Sequence, residues 1–507
     1  MMQNILRAGL AFSLALGVVL VTLGLTTADP SGDSITYAVV KAAGVDFPNC
    51  RLGLGVSINS LATYNYTPTR VGWYLDWRVN GPDLPLVEYY RTLRVKQDKN
   101  GSVYLQSYQI TPSLDFTPGG LGTVVQAHPG QIWIVGNEPD RPYSQDDVMP
   151  DMYARIYHDA YWFIKGIDPT AKVAIGAVVQ PTPLRLQYLD LILQTYQTKY
   201  GTMMPVDIWN THSYIIPENY LKPGADIPPG ITATAGMQYT VLDHLNINVY
   251  AGQIRNLRTW MKNRGYQNVP LISTEYGALY PLWLLDDYGL TQTDINNFIS
   301  SAINHMNTQK DLSIGYPADD YRLIQRIALY SLDDDSVFPA NPPDPTYFRW
   351  GSFLFRSTTP YTQTATGTAF VATAQTLTPN VDWSVSQPRT APSSLIVSPT
   401  ETISPTVQVL VSNAGNVQAS AGAVITFTDV TSGLNVLIGA VNVPPLLGCG
   451  STQEANAVWP DLETGVHRMR IDVGSSDGVN EPNKANNVLT MTVLVGTSAA
   501  YLPLISR

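Results

Sequence analysis

Two cysteines in 507 residues leave no basis for a disulfide-rich scaffold, and Cys50 and Cys449 sit near opposite ends of the chain without metal-ligand spacing. In an oxidising compartment the even count permits one bridge between distant segments, but two separate small residues is the reading preferred from sequence. Positive charge is also short. With 30 Lys+Arg against 40 Asp+Glu the net charge is -10, the wrong sign for tracking a phosphate backbone, so nucleic acid is not an expected partner. No zinc, haem, phosphate-loop or dinucleotide pattern is present and no nucleophile elbow, so no cofactor and no metal is expected. Long hydrophobic runs are absent but for one, Ala8 to Leu25 behind Arg7, followed by Thr26-Thr27-Ala28-Asp29-Pro30. That run reads as a signal peptide or an uncleaved N-terminal membrane anchor over residues 1–28. The protein is therefore expected to be secreted or at the cell surface, with membrane or cell-wall attachment through this segment or a C-terminal module.

What the chain does have is length and aromatic residues. It exceeds the size at which one core stops growing, so two domains are expected, and it carries 29 Tyr and 10 Trp, able to fill cores or to stack on rings. After a linker at 29–48, short apolar runs alternate with helical stretches, the signature of parallel strand–helix units. The candidate strands are Arg51–Ser57, Val71–Trp77, Tyr90–Val95, Gln131–Gly136, Lys172–Val179, Val206–His212, Pro270–Thr274 and Arg326–Ser331. Helices are predicted at about 147–166, 183–200, 251–265 and 291–309, with Tyr153, Ile156, Tyr157, Ala160 and Ile164 at helical spacing and Thr291 with Asp294 as a near capping box. Eight strands predict a (β/α)8 barrel over 49–379. A linker is expected at 380–394. From there Thr, Ser, Val and Pro dominate and apolar residues alternate, as in Val407, Val409 and Val411, which predicts a β-sandwich over 395–496 and a tail at 497–507.

Two of the apolar runs end in carboxylates. Ile132-Trp133-Ile134-Val135-Gly136 delivers Asn137-Glu138-Pro139-Asp140, and Leu271-Ile272-Ser273-Thr274 delivers Glu275-Tyr276-Gly277. A pair of carboxylates at strand ends is what glycoside hydrolysis requires, one to protonate the leaving oxygen and one to attack or to steer water. The two lie 137 residues apart, three strand–helix units of about 46 residues each. A strand-capping salt bridge is the plainer alternative for Glu138. His212 ends another apolar run and could bond the acid or a sugar hydroxyl, or serve structure alone. Trp73, Trp77 and Trp209 are stacking candidates, Trp77 foremost, although alternation must turn some of them toward the helices. Arg94 either orients a carboxylate or makes a structural ion pair. The run Asp333-Asp334-Asp335 reads as a solvated turn in preference to a hard-cation site. The stretch between Ile215 and Tyr250, rich in Pro, Gly and Thr, is long enough to overhang the strand C-termini.

Taken in order, Trp73-Tyr74-Leu75-Asp76-Trp77, Gly136-Asn137-Glu138-Pro139-Asp140, His212-Ser213-Tyr214 and Ser273-Thr274-Glu275-Tyr276-Gly277 resemble clan A glycoside hydrolases. Within the clan they are most similar to family 128, barrel β-glucanases with the same order of motifs. The resemblance spans about residues 50–357. It implies Glu138 as acid/base, Glu275 as nucleophile of a retaining double displacement, Asn137 on the sugar 2-hydroxyl and Tyr214 orienting the nucleophile. With Trp77, Tyr214 and Tyr276 on the rim and His212 among the substrate-binding residues, the expected partner is a polysaccharide or oligosaccharide, a β-glucan foremost. The clan's tryptophan at the end of the eighth strand is missing, and Trp350 is the candidate substitute. Asn413-Ala414-Gly415-Asn416 and Glu481-Pro482-Asn483-Lys484-Ala485-Asn486-Asn487-Val488 resemble the Ig-like adhesion-type modules of exported bacterial proteins. The competing expectations are an inactive barrel that binds carbohydrate at the cell surface and a purely structural envelope component; retention of both glutamates argues against the former.

Overall fold

Parallel strands are stable when both faces are covered, and the apolar runs that end in the two glutamates are buried along nearly their whole length. The computed structural model describes residues 47–219, 224–336, 338–339, 347–348, 350–433, 435–475 and 481–497. The expected signal peptide or anchor, nearly all of the 29–48 linker and the tail beyond 497 lie outside these. The first ten strands are β1 (Asn49–Gly55), β2 (Val71–Leu75), β3 (Glu88–Tyr89), β4 (Arg91–Asn100), β5 (Val103–Thr111), β6 (Ile132–Asn137), β7 (Lys172–Ala177), β8 (Trp209–His212), β9 (Leu271–Tyr276) and β10 (Arg326–Tyr330). They form two sheets, ordered β3-β2-β1-β10-β9-β8 and β5-β4-β6-β7. Every pairing in them is parallel except that of β4 with β5. Further backbone bonds run between residues of the two sheets or just beside them: Ile175 N to Ile208 O (3.2 Å) and His212 N to Val178 O (2.8 Å) near β7 and β8, and Thr92 N to Arg78 O (2.8 Å) beside β4.

Seven helices accompany these strands: α1 (Leu121–Ala127), α2 (Pro150–Ile167), α3 (Pro183–Tyr200), α4 (Ile247–Asn263), α5 (Leu282–Asp286), α6 (Gln292–Thr308) and α7 (Ala365–Thr376). The stripe Tyr153, Ile156, Tyr157, Ala160 and Ile164 of α2 is fully buried, and each large member contributes about 1.5–3 kcal/mol by leaving water. At α6 the Thr291 hydroxyl and Asp294 carboxylate form a reciprocal capping box. Alternation splits the strand side chains into two sets. Trp133, Val135, Val173, Ile175 and Leu329 pack against the helices, while Trp73, Leu75, Tyr90, Ile134, Ala174, Ile208, Ile272 and Ala328 form a separate cluster between the strands. The β5 arm was not foreseen: its residues are largely exposed and carry no apolar stripe.

The C-terminal β-domain has two sheets. One pairs Trp383–Ala391, Thr406–Asn413 and Ser451–Val458; the other holds Ile396–Val397, Val488–Thr497, Gly465–Ser475, Ala423–Asp429 and Val436–Val443. Its core includes Trp383, Val407, Val409, Val411, Ile425, Phe427, Trp459, Met469, Ile471 and Val495. Residues 380–394, expected as a linker, therefore contain a full strand. The outer half of that strand is exposed, which is why no apolar alternation marked it. Among the described residues no helix is long and apolar enough to cross a membrane.

The cysteines are not separate. Cys50 and Cys449 form a disulfide with a Cα–Cα distance of 6.0 Å, which corrects the reading from sequence; a separation of 399 residues carries no local signal of pairing. Cys50 N also donates to Asn416 O (3.0 Å). The neighbouring Arg51, fully buried, donates to both oxygens of Asp319 (2.8 and 2.7 Å) and to Ala414 O (2.9 Å). A bridge closing so long a loop removes much unfolded-chain entropy. Cys50→Ser with Cys449→Ser is expected to lower unfolding free energy by about 2–5 kcal/mol, read as an earlier urea midpoint; an unchanged midpoint would refute a stabilising role.

Candidate active site

The C-terminal ends of the parallel strands converge on a small group of polar side chains. At β6 the chain turns through left-handed backbone at Gly136 (φ 94°) and Glu138 (φ 47°). Glycine takes that conformation freely, but glutamate does so at a cost of about 1–3 kcal/mol. The turn is held by Asp146, whose carboxylate accepts Asn137 N (2.6 Å), and by Glu138 N donating to Ala177 O (3.0 Å). Asp146 is in turn paired with Arg94 (2.8 Å). Arg94 thus makes a structural ion pair that fixes the strand end, and Gln145 accepts from both Arg94 and Asn137 Nδ2 (3.2 Å each). Burial pushes Asp146 up to about 6 despite Arg94.

Glu275 reaches the same point by a different route. Thr211 pairs with Ser273 but His212 pairs with Glu275, and the β9–β10 ladder slips at the same place. A β-bulge inserts one residue and re-aims the next side chain. Glu275 is thereby turned inward beside His212, and Tyr276 is turned out. Tyr276, expected at the rim, is fully buried on the helix side with its ring against Tyr250 of α4 (centroids 6.4 Å).

His212 stands between the two glutamates. Its Nδ1 lies 2.9 Å from Glu138 Oε1 and its Nε2 lies 3.4 Å from Glu275 Oε1. The other oxygen of Glu138 is 3.2 Å from Arg141 Nη1, and Arg141 Nη2 donates to Gly224 O (3.3 Å). Glu275 accepts from Trp77 Nε1 (2.9 Å) and from Tyr214 OH (2.8 Å). One oxygen of Glu138, one of Glu275 and one His212 nitrogen all fall within 4.8 Å of one another. Those are also metal-ligand types, but each imidazole nitrogen faces a different carboxylate, so an ion here would have to break one of those pairs. Both glutamates are nearly closed off, Glu138 at 2% and Glu275 at 7% exposure.

Burial works against charge on all three groups, and their neighbours decide the outcome. For Glu138 the Arg141 guanidinium and His212 outweigh burial and hold the carboxyl down at about 2. For Glu275 burial wins: His212 opposes it, the Glu138 charge adds to it, and the proton affinity rises. His212 is raised above the ordinary imidazole range because Glu275 and Glu138 overcome its burial. In this state Glu138 is ionised, the reverse of what an acid needs. The source is Arg141, a neighbour that no motif marked.

The remaining expected residues divide. Trp77, in left-handed backbone (φ 56°), lies against Glu275, and Gly55 makes room for it: a Cβ there would meet its ring at 2.9 Å. Tyr330 lies edge-on to Trp77 (5.6 Å) and to Trp350 (6.0 Å), so three half-buried rings form one wall beside Glu275. Trp209 does not contribute, since it packs on the helix side between Trp260 and Tyr266. Trp73 is buried against Tyr90 between the strands. The triple aspartate is no solvated turn. Asp333 accepts the backbone N–H groups of Ser57, Ile58 and Asn59, and Asp334 accepts Tyr330 OH and Trp350 Nε1.

The 215–250 stretch does reach the site, with Ile216 and Ala225 packed on Tyr214; residues 220–223 lie outside the described ones. It is anchored by Arg185, which pairs with Asp140 (2.7 Å) and with Glu218, all three fully buried. Burial pushes Asp140 up to about 6, against Arg185 and with Glu138. Removing the cation strands two buried carboxylates. Arg185→Met is expected to destabilise the protein by about 3–5 kcal/mol, measured by chemical denaturation; a change under about 1 kcal/mol would refute the anchor.

No family model and no curated protein matches the chain. Among solved structures it is similar to a family 128 (subgroup II) endo-β-1,3-glucanase from Sorangium cellulosum, at 16% identity and TM-score 0.39, over 64% of this chain and 98% of that one. It is similar to a family 39 glycoside hydrolase from Xanthomonas axonopodis pv. citri, at 13% identity and TM-score 0.40, over 82% of this chain and 93% of that one. It is also similar to a CARDB domain from Pyrococcus furiosus crystallised with di-metal ions, at 17% identity and TM-score 0.18, over 23% of this chain and 87% of that one.

Proposed function

We propose that this protein is an exported retaining glycoside hydrolase, a closed (β/α)8 barrel with an Ig-like module behind it, acting on a β-linked glucan. The observation that carries the reading is the carboxylate pair at two strand ends, with one oxygen of each within 4.8 Å. Retaining enzymes hold their carboxyls about 5–5.5 Å apart, whereas inversion needs about 6.5–9.5 Å to admit a water. Glu275, steered by Tyr214 and Trp77, attacks the anomeric carbon. Glu138 protonates the leaving oxygen and then, as base, activates the water that frees the glycosyl-enzyme. Asn137, now bonded to Gln145, turns its amide to the 2-hydroxyl, and the wall of Trp77, Tyr330 and Trp350 offers faces for pyranose rings. The disulfide supports an oxidising, extracytoplasmic setting.

For Glu138 to act as an acid, Arg141 must part from it as the leaving-group sugar enters. Low exposure of both glutamates favours the alternative of a carbohydrate binder without catalysis, and hydrolysis separates the two. On β-1,3-, β-1,4- and mixed-linked glucans, wild type is expected to release a product whose first-formed anomer, seen by proton NMR, keeps the β configuration. Glu138→Gln should lower kcat by about 10²–10⁴-fold and Glu275→Gln should abolish turnover. An inverted product, or either variant at wild-type rate, defeats the reading.

A further inference from the structure

Resting Glu138 lacks the proton that its role as acid demands, and its carboxyl is only 2% exposed. The nearest proton is on the imidazole. His212 is fully buried, with Nδ1 2.9 Å from Glu138 Oε1 and Nε2 3.4 Å from Glu275 Oε1, and Nε2 has no hydrogen-bond partner. A side chain whose only task was to brace Glu138 would need neither the second nitrogen aimed at the second carboxylate nor a place in the bulged register that pairs His212 with Glu275. Long contacts of this kind are common before substrate tightens a site.

We propose that His212 is a proton carrier coupling the two glutamates, a reading that rests on the retaining mechanism above. The resting imidazolium gives its Nδ1 proton to Glu138 Oε1, and a turn of that carboxyl about its Cγ–Cδ bond presents the proton to the leaving oxygen. Neutral His212 keeps Nε2–H toward Glu275, which stays ionised and forms the bond to the anomeric carbon as the glycosidic C–O bond breaks and the leaving oxygen takes the proton. In the second half, Glu138 takes a proton from the attacking water and the glycosyl–Glu275 bond breaks. The proton on Glu138 then returns to Nδ1. One water is consumed, and all three groups regain their resting charge.

The charged groups facing the imidazole are Glu138, Asp140 with its partner Arg185, Arg141 across Glu138, and Glu275; Tyr214 on its own segment is neutral, raised well above the usual phenol range by burial and by Glu275. Because the carboxylates raise His212 above its ordinary value, the stored proton is present at low pH and lost as pH rises through the raised value. Hydrolysis of unactivated glycosides should therefore fall on the alkaline side in step with His212.

The test uses one sugar with two leaving groups, a sugar hydroxyl that needs protonation and 2,4-dinitrophenolate that does not. His212→Asn is expected to lose about 100-fold in kcat/KM on the former and about tenfold or less on the latter, with its alkaline limb displaced. Equal losses on both substrates would reduce His212 to a structural role. Should that variant not fold, nitrogen-15 histidine NMR on the full chain decides. In wild type one imidazolium should persist above the ordinary range, and in Glu138→Gln it should titrate lower. No histidine responding to Glu138→Gln would overturn the carrier. Dinitrophenyl cleavage that survives Glu275→Gln would instead sink the glycosidase reading.

Discussion

Two carboxylates brought within 4.8 Å inside a protein repel one another and resist desolvation, and everything around the strand ends answers that constraint. Each oxygen of the pair has a named partner. Glu138 has Arg141 and His212, Glu275 has Trp77, Tyr214 and the far nitrogen of His212. The donors are unequal in charge. Glu138 faces a guanidinium and Glu275 faces an indole and a phenol, and that asymmetry holds the Glu138 carboxyl down while burial raises Glu275. The proposed acid, Glu138, is thus the carboxyl of lower proton affinity in the resting site. In the proposed mechanism a mobile Arg141 and the imidazole shared by both carboxylates resolve that mismatch.

The same constraint reaches outward. Asp146 holds the amide of Asn137 and is itself held by Arg94, so the left-handed turn that carries Glu138 is fixed from outside. Asp140, one residue from the proline that follows Glu138, is tied by Arg185 to Glu218 in the segment covering Tyr214. A displacement of either network moves Glu138 or Tyr214, because side chains that must sit within a few tenths of an ångström depend on their supports. These supports are rigid elements and buried ion pairs, whereas Arg141, with 24% of its side chain exposed, is the partner best able to move.

How much of this was legible in the sequence follows from what each feature leaves as a local signal. Strands buried on both faces read as apolar runs, and all eight candidates match strands of the parallel sheets to within a few residues. Glu138, Glu275, His212, Tyr214 and Trp77 meet because each lies at or just past such a run. The bulge beside Thr274 left no mark, since Ser, Thr and Glu are unremarkable at a strand end; counting alternation without it faces Tyr276 the wrong way. Arg141 and the Arg94–Asp146 pair depend on how a loop folds back, which spacing does not encode. The Cys50–Cys449 bridge and the strand Trp383–Ala391 were missed for related reasons, one being a contact across 399 residues and the other an edge with a polar outer half.

The bridge also shows how the two domains divide their work. Cys50 and Arg51 open β1, and Asp319 and Arg322 precede β10, so the disulfide and the buried Arg51–Asp319–Ala414 cluster grip the end of the parallel strands where they begin. The carboxylates sit where the strands finish. In parallel sheets the beginning end serves stability and the finishing end carries chemistry. These contacts tie the β-domain to the beginning end, away from Glu138 and Glu275. Among the described residues, the 215–250 segment covers Tyr214 through Ile216 and Ala225, on the side of the strands opposite to the disulfide.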